Sequence, residues 1–181
     1  MRNSVSKVSF ILGLIFLTIA LYLVWERNNP ARLNFTQTPK TIAKPVVNNN
    51  QEKKPVQIVI KDLNINVPLY PSQINGTTWE TTTLGASYLL SSPIPGENGN
   101  SIVYAHNWNN LFGRLVFAKP GENVRVVFSN NTSKSFTIKY TAVVNPDQTY
   151  ILDNSEDTRI TLFTCTGFFD QKRFIAVAIL N

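Results

Sequence analysis

Residues 56–181 are expected to form an all-β domain, a sandwich or a closed barrel, placed behind one N-terminal apolar helix. Three observations predict this. Apolar side chains alternate with polar ones in one short run after another, which is the period of a half-buried strand. Turn-forming residues such as Ser129-Asn-Asn-Thr-Ser133 separate these runs. The one helical candidate of note inside the domain is Asn110 to Ala118, which is short and at best amphipathic.

The chain opens with a short tail, residues 1–7, carrying Arg2 and Lys7. Residues 8–25 hold no charged side chain and approach the ~20 residues a helix needs to cross a bilayer core. Tyr22 and Trp25 mark the far boundary as interfacial aromatics do. No small-x-small cleavage site follows, so an uncleaved signal anchor is favoured over a removed signal peptide. Basic residues flank the span on both sides, and charge alone does not orient it. A short tail inside and a long domain outside suit the lengths. Residues 26–55, rich in Asn, Pro, Thr, Lys and Gln, read as a flexible linker.

Strand patterns then follow in order. Val56, Ile58 and Ile60 alternate, and Leu63, Ile65, Val67 and Leu69 alternate up to Tyr70-Pro71. Ser101-Ile-Val-Tyr-Ala-His106 is a strand ending in the only histidine. Val124, Val126 and Phe128 pair with Phe136, Ile138 and Tyr140 across the 129–133 turn. Arg159-Ile-Thr-Leu-Phe-Thr-Cys165 ends in the only cysteine, and Phe174-Ile-Ala-Val-Ala-Ile-Leu180 closes the chain as a wholly apolar strand.

The formal charge of +6 is misleading until it is located. Residues 1–56 carry eight basic and two acidic side chains, and the remainder carries nine of each. A neutral domain removes the main support for nucleic-acid binding. A lone cysteine forms no internal disulfide, and a lone histidine makes a His/Cys metal site improbable on composition. Asp153, Glu156 and Asp157 read as a solvated acidic loop rather than a calcium shell. No metal and no cofactor are expected.

Cys165, His106 and Arg173 are the candidate chemistry. A thiolate nucleophile needs a proton partner and a donor for the oxyanion, and these three side chain types supply both. Each has a plain alternative: Cys165 as a buried small hydrophobe, His106 as a hydrogen-bonded surface residue, Arg173 in a salt bridge with Asp170 or at a solvated hairpin end. Thr164, beside the cysteine, is either a hydrogen-bonding partner near the substrate or an ordinary strand residue.

Thr161-Leu-Phe-Thr-Cys165, with His106 upstream and Arg173 downstream, resembles the TLxTC signature of sortases. The likeness spans roughly residues 56–181. Gln57-Ile-Val-Ile-Lys-Asp-Leu-Asn-Ile-Asn-Val-Pro-Leu-Tyr70 is similar to the family's opening strand pair, and Pro93-Ile-Pro-Gly-Glu-Asn-Gly-Asn-Ser-Ile-Val-Tyr-Ala-His106 to the approach to its histidine. Phe112-Gly-Arg-Leu-Val-Phe-Ala-Lys-Pro-Gly121 resembles the segment after it. Ala105 stands where glycine is common, Asn107 resembles class B, and the short step from Cys165 to Arg173 resembles other classes, so the class stays open.

The resemblance implies a closed eight-stranded barrel with short helices, on the outer face of a cell membrane. It implies a cysteine transpeptidase that cuts a C-terminal LPXTG-like sorting signal, with Cys165 as nucleophile, His106 as general acid and base, and Arg173 steadying the oxyanion. Its partners would be surface proteins bearing sorting signals and an amine acceptor on cell wall or pilin. Two rivals stay open on the residues alone, a secreted cysteine hydrolase and a non-catalytic tethered β-barrel binding module.

Overall fold

The computed structural model describes residues 2–27, 33–36 and 53–181. Helix α1 (Arg2–Arg27) contains the uncharged span, and its Lys7–Trp25 stretch has a mean hydropathy of 2.5 and is wholly exposed within the chain. An apolar surface of that length suits a lipid surround. The rest is strand-rich, with β1 (Pro55–Ile60), β2 (Ile65–Ser72), β5 (Ala86–Leu89), β6 (Gly99–Tyr104), β7 (Asn123–Phe128), β8 (Ser133–Val144), β9 (Thr158–Thr166) and β10 (Lys172–Leu180) joined into a closed barrel. The order around it is β1-β2-β5-β6-β9-β10-β8-β7, so no barrel edge is left to recruit a foreign strand. Of the sandwich and barrel alternatives, the barrel is the one adopted. A separate two-stranded hairpin joins β3 (Ile74–Asn75) to β4 (Thr78–Trp79).

Alternation decides which side chains fill the barrel. Ile58 and Ile60 on β1, Val124, Val126 and Phe128 on β7, and Phe136 and Ile138 on β8 turn inward with Leu162, Phe174 and Ala176. The opposite faces of β6, β9 and β10 are also buried. Tyr104, Phe163, Cys165, Ile175 and Val177 belong to a second apolar layer with Trp79, Val144 and Leu152 outside the barrel. Strands covered on both faces read as continuous apolar runs, which is the texture of Phe174–Leu180 in the sequence.

Two expectations change. The helical candidate at Asn110 to Ala118 reduces to one 3-10 segment, Gly113–Phe117. A Cβ on Gly113 would lie 2.7 Å from the Asn107 and Trp108 carbonyl oxygens, so this turn packs tightly on the loop after His106. Part of the expected linker, residues 33–36, is the second. Residues 28–32 and 37–52 lie outside the described residues, but Leu33 and Phe35 within it are buried, at 0% and 1% exposure. Both side chains belong to the outer apolar layer.

Candidate active site

Three adjacent strands bring the candidate residues together. In the antiparallel β9–β10 ladder Cys165 stands directly opposite Arg173. β6 runs parallel to β9 on its other side, with Tyr104 opposite Phe163, and the Ala105 N–H continues the ladder to the Phe163 carbonyl at 3.3 Å. His106 is the next residue beyond that bond. Adjacent strands lie ~4.8 Å apart, so the three backbones fall within roughly 10 Å of one another. Alternation puts Cys165 on the same face as Phe163, and Arg173 on the same face as Ile175, outside the barrel.

Burial is deep at all three, with 3% of Cys165, 6% of His106 and 4% of Arg173 exposed. Loss of water pushes the His106 imidazole below its ordinary value, and the Asp170 carboxylate opposes that shift. His106 also stacks on Trp108, with ring centroids 4.8 Å apart. The Asp170 carboxylate is held in turn by Asn107, whose side-chain amide donates to Oδ1 at 2.7 Å.

The connection from β9 to β10 shapes the arginine's surroundings. Gly167 at φ 82° opens it, and Phe169 and Asp170 both take left-handed backbone at 51° and 57°. The result turns main-chain oxygens toward the guanidinium. Arg173 Nη1 donates to the carbonyls of Asp170 and Lys172, each at 2.9 Å, and Nη2 donates to the Asn34 carbonyl at 2.7 Å. The Asp170 carbonyl is thus one of the groups that meet Arg173.

Thr164 lies on the other face of β9 and is fully buried. Its hydroxyl donates to the Ala105 carbonyl at 2.8 Å, so it fastens β9 to β6 beside His106. Strand alternation turns it to the face opposite Cys165.

Sequence reasoning missed Asn34, Phe35 and Trp79, and it named Asp170 only as a salt-bridge partner for Arg173 and not as a neighbour of His106. The Trp79 indole packs edge-on against Tyr104 and Phe163 at 5.2 and 5.6 Å, and Phe35 packs edge-on against Phe163 at 5.1 Å. Asn34 Oδ1 accepts the Trp79 backbone N–H at 3.0 Å. The available signal was the Leu33-Asn-Phe35 alternation inside an otherwise linker-like segment. Among the acidic loop residues, Asp157 forms a salt bridge with Arg159.

A buried thiol faced by a guanidinium and flanked by an imidazole, all at strand ends on one side of a closed barrel, defines a class of thiol-bearing β-barrels. The family model for the sortase domain matches residues 58–181, and the chain belongs to the sortase family. It is 25% identical over 145 residues to sortase A of Listeria monocytogenes, a match covering 78% of this chain and 63% of that relative's length. The solved structure of Listeria monocytogenes sortase A superposes with a TM-score of 0.56 at 25% identity, covering 71% of this chain and 88% of that one. Sortase C-1 from Actinomyces oris gives 0.62 at 21% identity over 88% of this chain and 98% of that one. Relatives with both the A and C labels share the barrel, so the fold does not choose a class.

Proposed function

We propose that the chain is a membrane-anchored cysteine transpeptidase. The single observation that supports this most is the facing pair of Cys165 and Arg173, with the end of the His106 strand alongside. In this reading the Cys165 thiolate attacks the carbonyl carbon after the threonine of an LPXTG-like sorting signal. The carbon–sulfur bond forms while the carbonyl π electrons move to oxygen, where the Arg173 guanidinium donates to the resulting oxyanion. Collapse breaks the carbon–nitrogen bond, and His106 hands its proton to the departing amine. A thioacyl enzyme remains. An amino group from cell wall or a pilin subunit then attacks it, giving its proton to His106 and releasing the thiolate.

Helix α1 would hold the domain at the membrane as a single-pass anchor, with the barrel on the extracellular face. The test gives the full chain, in detergent micelles, a labelled LPXTG-type peptide with and without an amine. An amide-linked product that scales with the amine is expected. Cleavage indifferent to amine would favour a cysteine hydrolase, and absence of any cleavage would favour a binding module.

A further inference from the structure

We infer that the end of the barrel bearing Cys165, His106 and Arg173 faces the bilayer, with the exposed Phe168–Phe169 pair seated in the lipid interface. This rests on the membrane-anchor reading of helix α1 and adds an orientation and a contact to it. The orientation follows from reach. Helix α1 ends at Arg27, two residues past Trp25, so its end lies at the lipid surface. The Asn34 carbonyl is held by Arg173 Nη2, and Leu33 beside it is fully buried. Six chain steps join Arg27 to Leu33. At ~3.6 Å or less per residue they span about 22 Å at most. Strand β8 measures the barrel, since Val144 lies opposite Arg173 and Ser133 is eleven residues away on the same strand. That is roughly 35 Å at ~3.3 Å per residue, or roughly 27 Å of height once a strand tilt of about 40° is allowed for. With the Ser133 end resting on lipid, the anchored Asn34 would stand above the reach of a fully extended tether. The Arg173 end is therefore the one held near the bilayer.

The contact follows from chemistry. Phe168 is 80% exposed, more than Phe10 at 73%, the most exposed side chain that Val8–Trp25 presents to lipid. Phe169 packs edge-on against Phe168 with ring centroids 4.3 Å apart. Two adjacent aromatic rings on a loop flanked by polar Asp170, Gln171 and Lys172 have the pattern of a membrane or protein contact. The short tether selects the membrane. The Lys172 ammonium, exposed beside the rings, suits the phosphate of a lipid headgroup. Apolar rings with such a flank sit at headgroup depth without spanning the bilayer. The loop is braced for this, because Arg173 takes the Asp170 carbonyl and Asn107 takes its carboxylate. It joins β9 to β10 between Cys165 and Arg173, so rings fixed in the interface hold the thiol close to the lipid surface.

The experiment uses the full chain in vesicles of phosphatidylcholine and phosphatidylglycerol, with Cys165→Ala as background. Gln171→Cys, beside the rings, or Ser133→Cys, at the far end of β8, carries a fluorophore; both positions are exposed. Lipids bearing a nitroxide near the headgroup quench a fluorophore that comes close. Quenching at 171 is expected to exceed that at 133 by about threefold or more, and adding Phe168→Ser should bring it down toward the 133 level. In the chain with Cys165 restored, Phe168→Ser should leave KM for a soluble LPXTG-type peptide unchanged. A chain that resists carbonate extraction yet is quenched at 133 as strongly as at 171 would overturn the orientation while leaving the anchor reading intact. Quenching at 171 unmoved by Phe168→Ser, with KM raised, would make the pair a peptide contact and overturn the lipid seat. Release of the chain by carbonate would sink the anchor reading and this inference with it.

Discussion

Arg173→Lys separates the arginine's two jobs, because it keeps the charge and removes the fork. In the structure one guanidinium nitrogen serves the Asp170 and Lys172 carbonyls while the other reaches Asn34. A single ammonium nitrogen cannot occupy both positions, so lysine retains one side of this arrangement at most. A hydrogen bond to a charged group contributes about 1.5–3 kcal/mol, so losing one side should cost roughly 2 kcal/mol of local stability. Removing one donor from an oxyanion costs about 10²–10³ in turnover. Transfer of a labelled peptide to amine should therefore fall by about 10²-fold or more. Cys165 modification by a small thiol reagent should move the other way and quicken, since the Asn34 carbonyl loses its anchor. The assay is a paired one on the full chain, product formation by chromatography and thiol modification by mass. Transfer within twofold of the parent, or thiol modification slowed in step with it, would refute the reasoning.

Other consequences follow from neighbouring contacts. Thr164→Val leaves the buried Ala105 carbonyl without its hydroxyl donor, so a loss of about 1–3 kcal/mol and a melting point lower by several degrees are expected in a thermal scan. The His106 pKa is depressed by burial, so the unfolded chain binds more protons than the folded one between the two values. This part of the stability is present above about pH 6.5 and is lost as pH falls toward the folded value; denaturant titrations should show that slope vanish in His106→Gln. Asp170→Asn removes the charge that holds the imidazole pKa up, so the acidic limb of the rate profile should shift to lower pH.

Much of the barrel is visible in the chain because most of its strands follow a simple period. Val56 to Ile60, Val124 to Phe128 and Phe136 to Tyr140 announce themselves by alternation, and β10 by its long apolar run. β5 does not, since Ala86–Leu89 is four residues buried throughout, with nothing polar outside to mark a face. The two-residue strands of the Trp79 hairpin are too short for any period to appear.

The candidate site divides the same way. Unique residue types drew attention to His106 and Cys165, but their adjacency depends on a parallel β6–β9 pairing between strands more than 50 residues apart. The partner of Thr164 was not legible, because it faces away from its sequence neighbour Cys165 and its hydroxyl reaches a carbonyl 59 residues upstream. Leu33 and Phe35 were hidden by the composition around them, which describes a linker on average and conceals two apolar side chains.

Mass spectrometry of the full chain, quenched during reaction with an LPXTG-type peptide, tests the central claim most directly. An adduct of the peptide's acyl fragment on Cys165, discharged by added amine and absent from Cys165→Ala, is the expected result. Amide product still formed by Cys165→Ala at the parent's rate would contradict the account outright.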